Sequence, residues 1–117
     1  MNIKKIFKFC DAMKCTTSDY QESWEAKRYF VDGKIFVMMS DELITMKCNP
    51  LMSLDLRREY EDIIPGYHMN KQKWISIKID TKLPDELIEN LITHAFFETL
   101  DARPRKVQEK IRKELEG

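Results

Sequence analysis

A chain of 117 residues, 43% of them hydrophobic and 34% charged, is long enough to bury one core without disulfides or metal and too apolar to stay disordered. Lysine and arginine balance aspartate and glutamate at 20 each, so no global field draws the molecule to nucleic acid or an anionic membrane, and any such attraction must come from local clustering. The apolar runs are too short for a membrane span, and the opening MNIKKIFKFCDAMK is charged and amphipathic, without the apolar stretch and cleavage site of a signal peptide.

Ile3, Ile6, Phe7, Cys10 and Met13 recur at helical spacing with lysines between them, and Asn2 stands where a cap belongs. Thr16, Thr17, Ser18 and Asp19 break that pattern. From Trp24 to Val31 aromatic and bulky residues alternate with charged ones, which predicts a strand. Asp32-Gly33 permits positive φ at both turn centres, so a tight hairpin leads into KIFVMMS. Leu43 to Cys48 makes a third strand after the polar turn Ser40-Asp41-Glu42.

Asn49-Pro50 starts a helix: Asn accepts from free amides, and Pro takes the first helical position, where a missing N–H costs nothing. Leu51, Leu54 and Arg58, or Leu51, Met52, Asp55 and Leu56, trace the helix, which should fade before Ile63. Pro65-Gly66 stops regular pairing or bends an edge strand. A further hairpin runs through Met69-Asn70-Lys71-Gln72 into WISIKID, with Ile75, Ile77 and Ile79 on one face and Trp74, Ser76 and Lys78 on the other. Pro84, Asp85 and Glu86 open a long helix with a broad apolar face from Leu87 to Phe96. After Arg103-Pro104 a charged helix carries the thin stripe Val107, Ile111 and Leu115. Short connections favour antiparallel pairing. The fold class is α+β: one two-layer α/β domain, α-β(3)-α-β(2)-α with a C-terminal helix, its antiparallel sheet covered by helices on one face.

Cys10, Cys15 and Cys48 are an odd set without regular spacing, which favours reduced thiols in the cytoplasm. With His68 and His94 they offer no CxxC or HxxxH pattern, so small buried thiols are expected rather than a zinc site. His68 beside Tyr67 has no partnered carboxylate or nucleophile placed by spacing. Lys47 would lower the pKa of an exposed Cys48, but a thiol ahead of Asn-Pro is more often buried. No phosphate loop, nucleotide fingerprint or metal motif is present, so neither an enzyme nor a cofactor is expected.

The runs ITMKCNP, LRREYEDIIPGYHMNKQKWISIKID and LPDELIENLITHAFF, together with the Gly-Lys-x-Phe of VDGKIFV, resemble the MmcQ/YjbR family of small bacterial proteins. The resemblance extends from Ile3 to Leu100, with three departures. Asp32 stands for one of the family's usual paired glycines, MKCTTS for a Leu-Pro-Gly turn, and Ala95-Phe96 for a Ser-Tyr pair. The resemblance implies a two-layer domain with one sheet face open and a "double wing" likeness to DNA-binding proteins. It also implies likenesses to secretion chaperones and frataxin, all of them fold-level analogies.

Lys71, Lys73, Lys78 and Lys82 lie within residues 67–82 against the single acid Asp80, while residues 85–101 hold five acids and no lysine or arginine. Lys34 and Lys47 join the basic side. The DNA-binding reading gives phosphates to Lys71, Lys73 and Lys78, stacking to Tyr67 and Trp74, and polar contacts to His68 and Asn70. Against it, Tyr67, His68 and Asn70 would serve only to satisfy the bent backbone after Pro65-Gly66, and Trp74 would be structural, the stronger reading for that ring. The alternative function is a protein-interaction adaptor, chaperone-like, with no nucleic-acid binding. Oligomeric state is left open, and no membrane contact is expected.

Overall fold

The computed structural model of the chain describes residues 1–67 and 69–117. The elements are α1 (Ile3–Asp11), β1 (Thr17–Gln21), a 3-10 turn (Glu22–Trp24), β2 (Ala26–Val31), β3 (Lys34–Met39), β4 (Leu43–Lys47), α2 (Pro50–Glu59), β5 (Ile63–Pro65), β6 (Trp74–Lys78), α3 (Asp85–Asp101) and α4 (Arg105–Glu116). One antiparallel sheet runs in the order β1-β2-β3-β4-β6-β5. The fold is α+β, as the periodicities require, with one strand more than the sequence predicts. β1 is that strand, and Trp24 leaves β2 for the 3-10 turn.

β1 is exposed along almost its whole length. It has no apolar alternation to announce it and is held by backbone pairing to β2 and by Arg28, whose Nε and Nη2 donate to the Asp19 carboxylate at 2.8 and 2.6 Å. That pair lowers the Asp19 carboxyl pKa through the charge-assisted bond.

The core lies on one side of the sheet. Val37, Met39, Ile44, Met46, Ile75 and Ile77 point there and meet Ile6 and Cys10 of α1 and Ile88, Leu91, Ile92, Ala95 and Phe96 of α3. A bulge in β3 puts Phe36 and Val37 on the same side: Tyr29 pairs with Val37 but Phe30 with Ile35. Phe36 thereby reaches Phe96 edge-on, ring centroids 5.5 Å apart. The Asp32-Gly33 turn has φ of +49° and +72°, the left-handed conformation of a tight two-residue hairpin. α4 adds its Ile111 stripe beyond α3. Among the described residues no helix is long and apolar enough to cross a membrane.

α2 begins as its sequence requires. Asn49 Oδ1 accepts from the amides of Leu51 (3.0 Å) and Met52 (3.3 Å), with Pro50 at the first helical position. Of the two sets drawn from its sequence, the first fails, and the second holds for Met52 and Leu56 but not for Leu51 and Asp55. Ser53 and Leu56 are the buried positions, Met52 and Tyr60 flank them, and Leu51 and Leu54 face solvent. Asn49→Ala should cost about 0.5–2 kcal/mol in a thermal or urea melt, while Asn49→Asp is tolerated. Equal losses from the two changes would mean that the side chain does not cap.

Candidate functional site

The side of the sheet opposite the core displays Arg28 and Phe30 of β2, Met38 of β3, Leu43, Thr45 and Lys47 of β4, and Trp74, Ser76 and Lys78 of β6. Part of it is roofed by the segment between β5 and β6. Gly66 N–H donates to Trp74 O at 2.8 Å. Tyr67 N–H then donates to Ser76 Oγ at 3.0 Å, and Ser76 Oγ is 2.7 Å from Thr45 Oγ1, a buried hydroxyl pair shared by β4 and β6. Asn70 closes the loop: its Oδ1 accepts from Gln72 N–H at 2.9 Å and its carbonyl from Lys73 N–H at 3.1 Å. Lys73 O accepts from Cys48 N–H at 2.8 Å and ties the loop to the end of β4.

This placement divides the sequence-predicted residues. Asn70 serves the turn, and Trp74 is 6% exposed, on the side away from the isoleucines as the alternation requires. The Trp74 ring is not a stacking platform as it stands, because Gly66 lies against its Cβ and Lys47 Nζ sits 5.3 Å from the ring centroid. The structural reading of Trp74 fits its burial, but the cover is the loop after β5 and not the C-terminal helix, which packs on the opposite face. Tyr67 remains 57% exposed at the loop's outer edge. Lys71, Lys73 and Lys78 are exposed. His68 lies outside the described residues.

Pairing of Lys47 with Trp74 across β4 and β6 brings Lys47 and Lys73 within electrostatic reach. The Lys47 pKa is lowered, first by burial and then by the Lys73 charge, against a weaker opposing pull from Glu98. Among the described residues, none of Lys47, Lys71, Lys73 and Lys78 forms an ion pair. Lys78 stands at the far end of β6, about 17 Å from Lys73 at the rise of an extended strand.

Next to this basic loop the open face is hollowed into a cleft of about 380 Å³. Ala26, Met38, Leu43 and Thr45 form its floor, Trp24 and Tyr67 two of its walls, and Met69 and Glu42 line it as well. Trp24 is 50% exposed. Sequence reading missed Trp24 and Glu42 because it spent the first on a strand and the second on a turn. The usable signal was the acidic setting of Trp24 in ESWEA, which is poor company for a buried ring.

The thiols do not suit nucleophilic chemistry. Burial pushes Cys48 up to about 11 and Cys10 up to about 12, so Lys47 does not activate its neighbour. Cys15 is only half-buried, its Sγ 3.4 Å from Glu114 Oε2. His94 Nε2 accepts from Asn49 N–H at 3.3 Å and lies 3.9 Å from Glu98 Oε2, a boundary histidine that steadies the start of α2.

The YjbR family model matches residues 11–97. YjbR of Escherichia coli K12 is 24% identical over 110 residues, covering 91% of this chain and 93% of that one. YbdF of Escherichia coli O157:H7 is 36% identical over 87 residues, 70% of each chain, and YyaQ of Bacillus subtilis is 44% identical over 55 residues, just under half of each. Among solved structures, Deinococcus radiodurans protein DR2400 superposes with a TM-score of 0.77 at 21% identity, over 97% of this chain and 86% of that one. A Pseudomonas syringae protein does so with a TM-score of 0.75 at 23% identity, over 85% of this chain and 99% of that one. Likeness at that identity is likeness of fold.

Proposed function

The chain belongs to the YjbR family, and we propose that it is a non-catalytic nucleic-acid-binding module of the cytoplasm that meets phosphate with the loop between β5 and β6. The observation that carries this reading is the self-repelling pair Lys47 and Lys73, flanked by Lys71 and lacking an ion-pair partner among the described residues. A phosphate between two such ammonium groups relieves their mutual repulsion as well as adding its own attraction. α3 packs on the other side of the sheet, and of its acids Glu98 is the one whose charge reaches Lys47, where Lys73 acts against it more strongly. Tyr67, exposed beside the lysines, is the ring to which this reading gives stacking, while Trp74 supports the loop from beneath.

Anisotropy of a labelled oligonucleotide across a salt series tests the proposal. Reversing Lys71 and Lys73 to Glu together should weaken binding uniformly across sequences and reduce the log–log salt slope by about 1.4 for a single strand. The melting curve should hardly move, since both side chains are exposed. Wild-type protein that binds neither single nor double strands in a salt-sensitive way would end the nucleic-acid reading.

One observation favours the adaptor as a second reading. Leu51 and Leu54, one helical turn apart on α2, are 74% and 43% exposed, an apolar pair that a protein partner would cover. Binding through it would be nearly insensitive to salt, opposite to phosphate contact.

A further inference from the structure

The cleft beside the basic loop has a chemistry of its own. Its volume, about 380 Å³, is at the small end of the roughly 300–1,000 Å³ typical of small-molecule sites. Two of its walls are rings, Trp24 and Tyr67, and it also offers two polarisable thioethers, Met38 and Met69. Such a lining favours a flat, polarisable guest.

The charges nearby narrow the class. Glu42 lines the cleft, and its carboxylate makes no hydrogen bond or ion pair among the described residues. An anionic guest would be repelled by it. Arg28 already stands 5.2 Å from the centre of the Trp24 ring, held there by Asp19, so a cationic guest would meet a like charge at the best cation-binding ring. A neutral ring escapes both objections. An ionised carboxylate is acceptor-only and receives two donors side by side. We infer that the cleft binds a neutral planar heterocycle carrying two adjacent N–H donors, the edge that guanine presents among the nucleobases, with its faces toward Trp24 and Tyr67 and its donors on Glu42.

This inference does not require a polyanion, because the uncharged nucleoside is the probe. Equilibrium dialysis with guanosine, inosine and uridine separates the contributions. Guanosine should bind in the micromolar to millimolar range and inosine, which lacks the exocyclic amino group, roughly ten- to a hundredfold more weakly. Uridine should be weaker still for want of a purine face. Glu42→Gln should weaken guanosine more than inosine, because it removes the acceptor of the amino group as well as the charge facing N1–H, and so should narrow the gap between the two. Trp24→Leu, at a half-exposed position, should weaken both without unfolding the chain.

Salt should not alter any of these nucleoside affinities, whereas the phosphate contacts proposed for the loop depend on it. Equal affinity for the three nucleosides, or no measurable binding of any of them, would overturn the inference. So would guanosine binding that survives both substitutions. Loss of oligonucleotide binding with nucleoside binding intact would instead count against the phosphate-binding loop alone.

Discussion

Trp74→Ala is expected to cost about 3–5 kcal/mol and to lower the melting temperature by roughly 10–20 °C. The ring is 6% exposed, yet it is not part of the main core between sheet and helices. It is buried on the other side, under the chain that leaves β5, with the Lys47 ammonium against its face. Removing it leaves a void that the loop cannot close, because Gly66 N–H is bonded to the Trp74 carbonyl and the Ser76–Thr45 hydroxyl pair fixes the strands below. Trp74→Phe should retain most of the stability by keeping a ring in place. Urea denaturation of the three proteins decides the matter. A Trp74→Ala protein as stable as wild type but deficient in single-strand binding would make the ring a stacking surface instead.

The sequence states which residues alternate, and burial follows from alternation. That is why β2, β3, β4 and β6 are legible in it: each presents apolar residues to α1 and α3. β1 is not legible, because TSDYQ buries almost nothing and is held by backbone bonds and by Arg28 on Asp19. The bulge at Phe36 is hidden for a related reason. Two neighbouring apolar residues on one side of a strand contradict the period of two, and the arrangement is met by contacts across the core, the Phe96 ring among them. α2 misleads because Leu51 and Leu54 form its most apolar stripe and yet face solvent.

The candidate site is legible only in part. The basic composition of the PGYHMNKQKW stretch can be counted, but the closeness of Lys47 and Lys73 comes from β4 pairing with β6, a long-range contact that no local pattern encodes. The cleft likewise joins Trp24, Glu42 and Tyr67 from three separate segments. Burial of Trp74 has a local sign after all, the glycine that lets the chain fold over it.

Gly66 is the position where that sign can be tested, and Gly66→Ala is expected to cost about 2–4 kcal/mol. A Cβ there would press on the Trp74 Cβ and stand 2.9 Å from the Trp74 carbonyl carbon and 3.0 Å from its oxygen. Since two of the three obstructing atoms belong to the backbone, no rotamer change relieves the contact. The chain must move off the strand and lose the 2.8 Å bond from Gly66 N–H to Trp74 O. Gly33 gives the contrast. Nothing lies within 4 Å of a Cβ built there, and its requirement is the left-handed backbone at φ +72°. Asn tolerates that conformation better than other residues, so Gly33→Asn should be nearly neutral while Gly33→Val costs about 1–3 kcal/mol. At Gly66 the ranking disappears: Ala, Asn and Val all carry the offending Cβ and should all destabilise, and the exposed lysines of the loop should lose their fixed spacing with it. Gly66→Ala should therefore weaken salt-dependent oligonucleotide binding even below its own melting temperature. If Gly66→Asn proves as harmless as Gly33→Asn, the close approach of the loop to Trp74 is refuted, and with it the platform on which Lys71 and Lys73 stand.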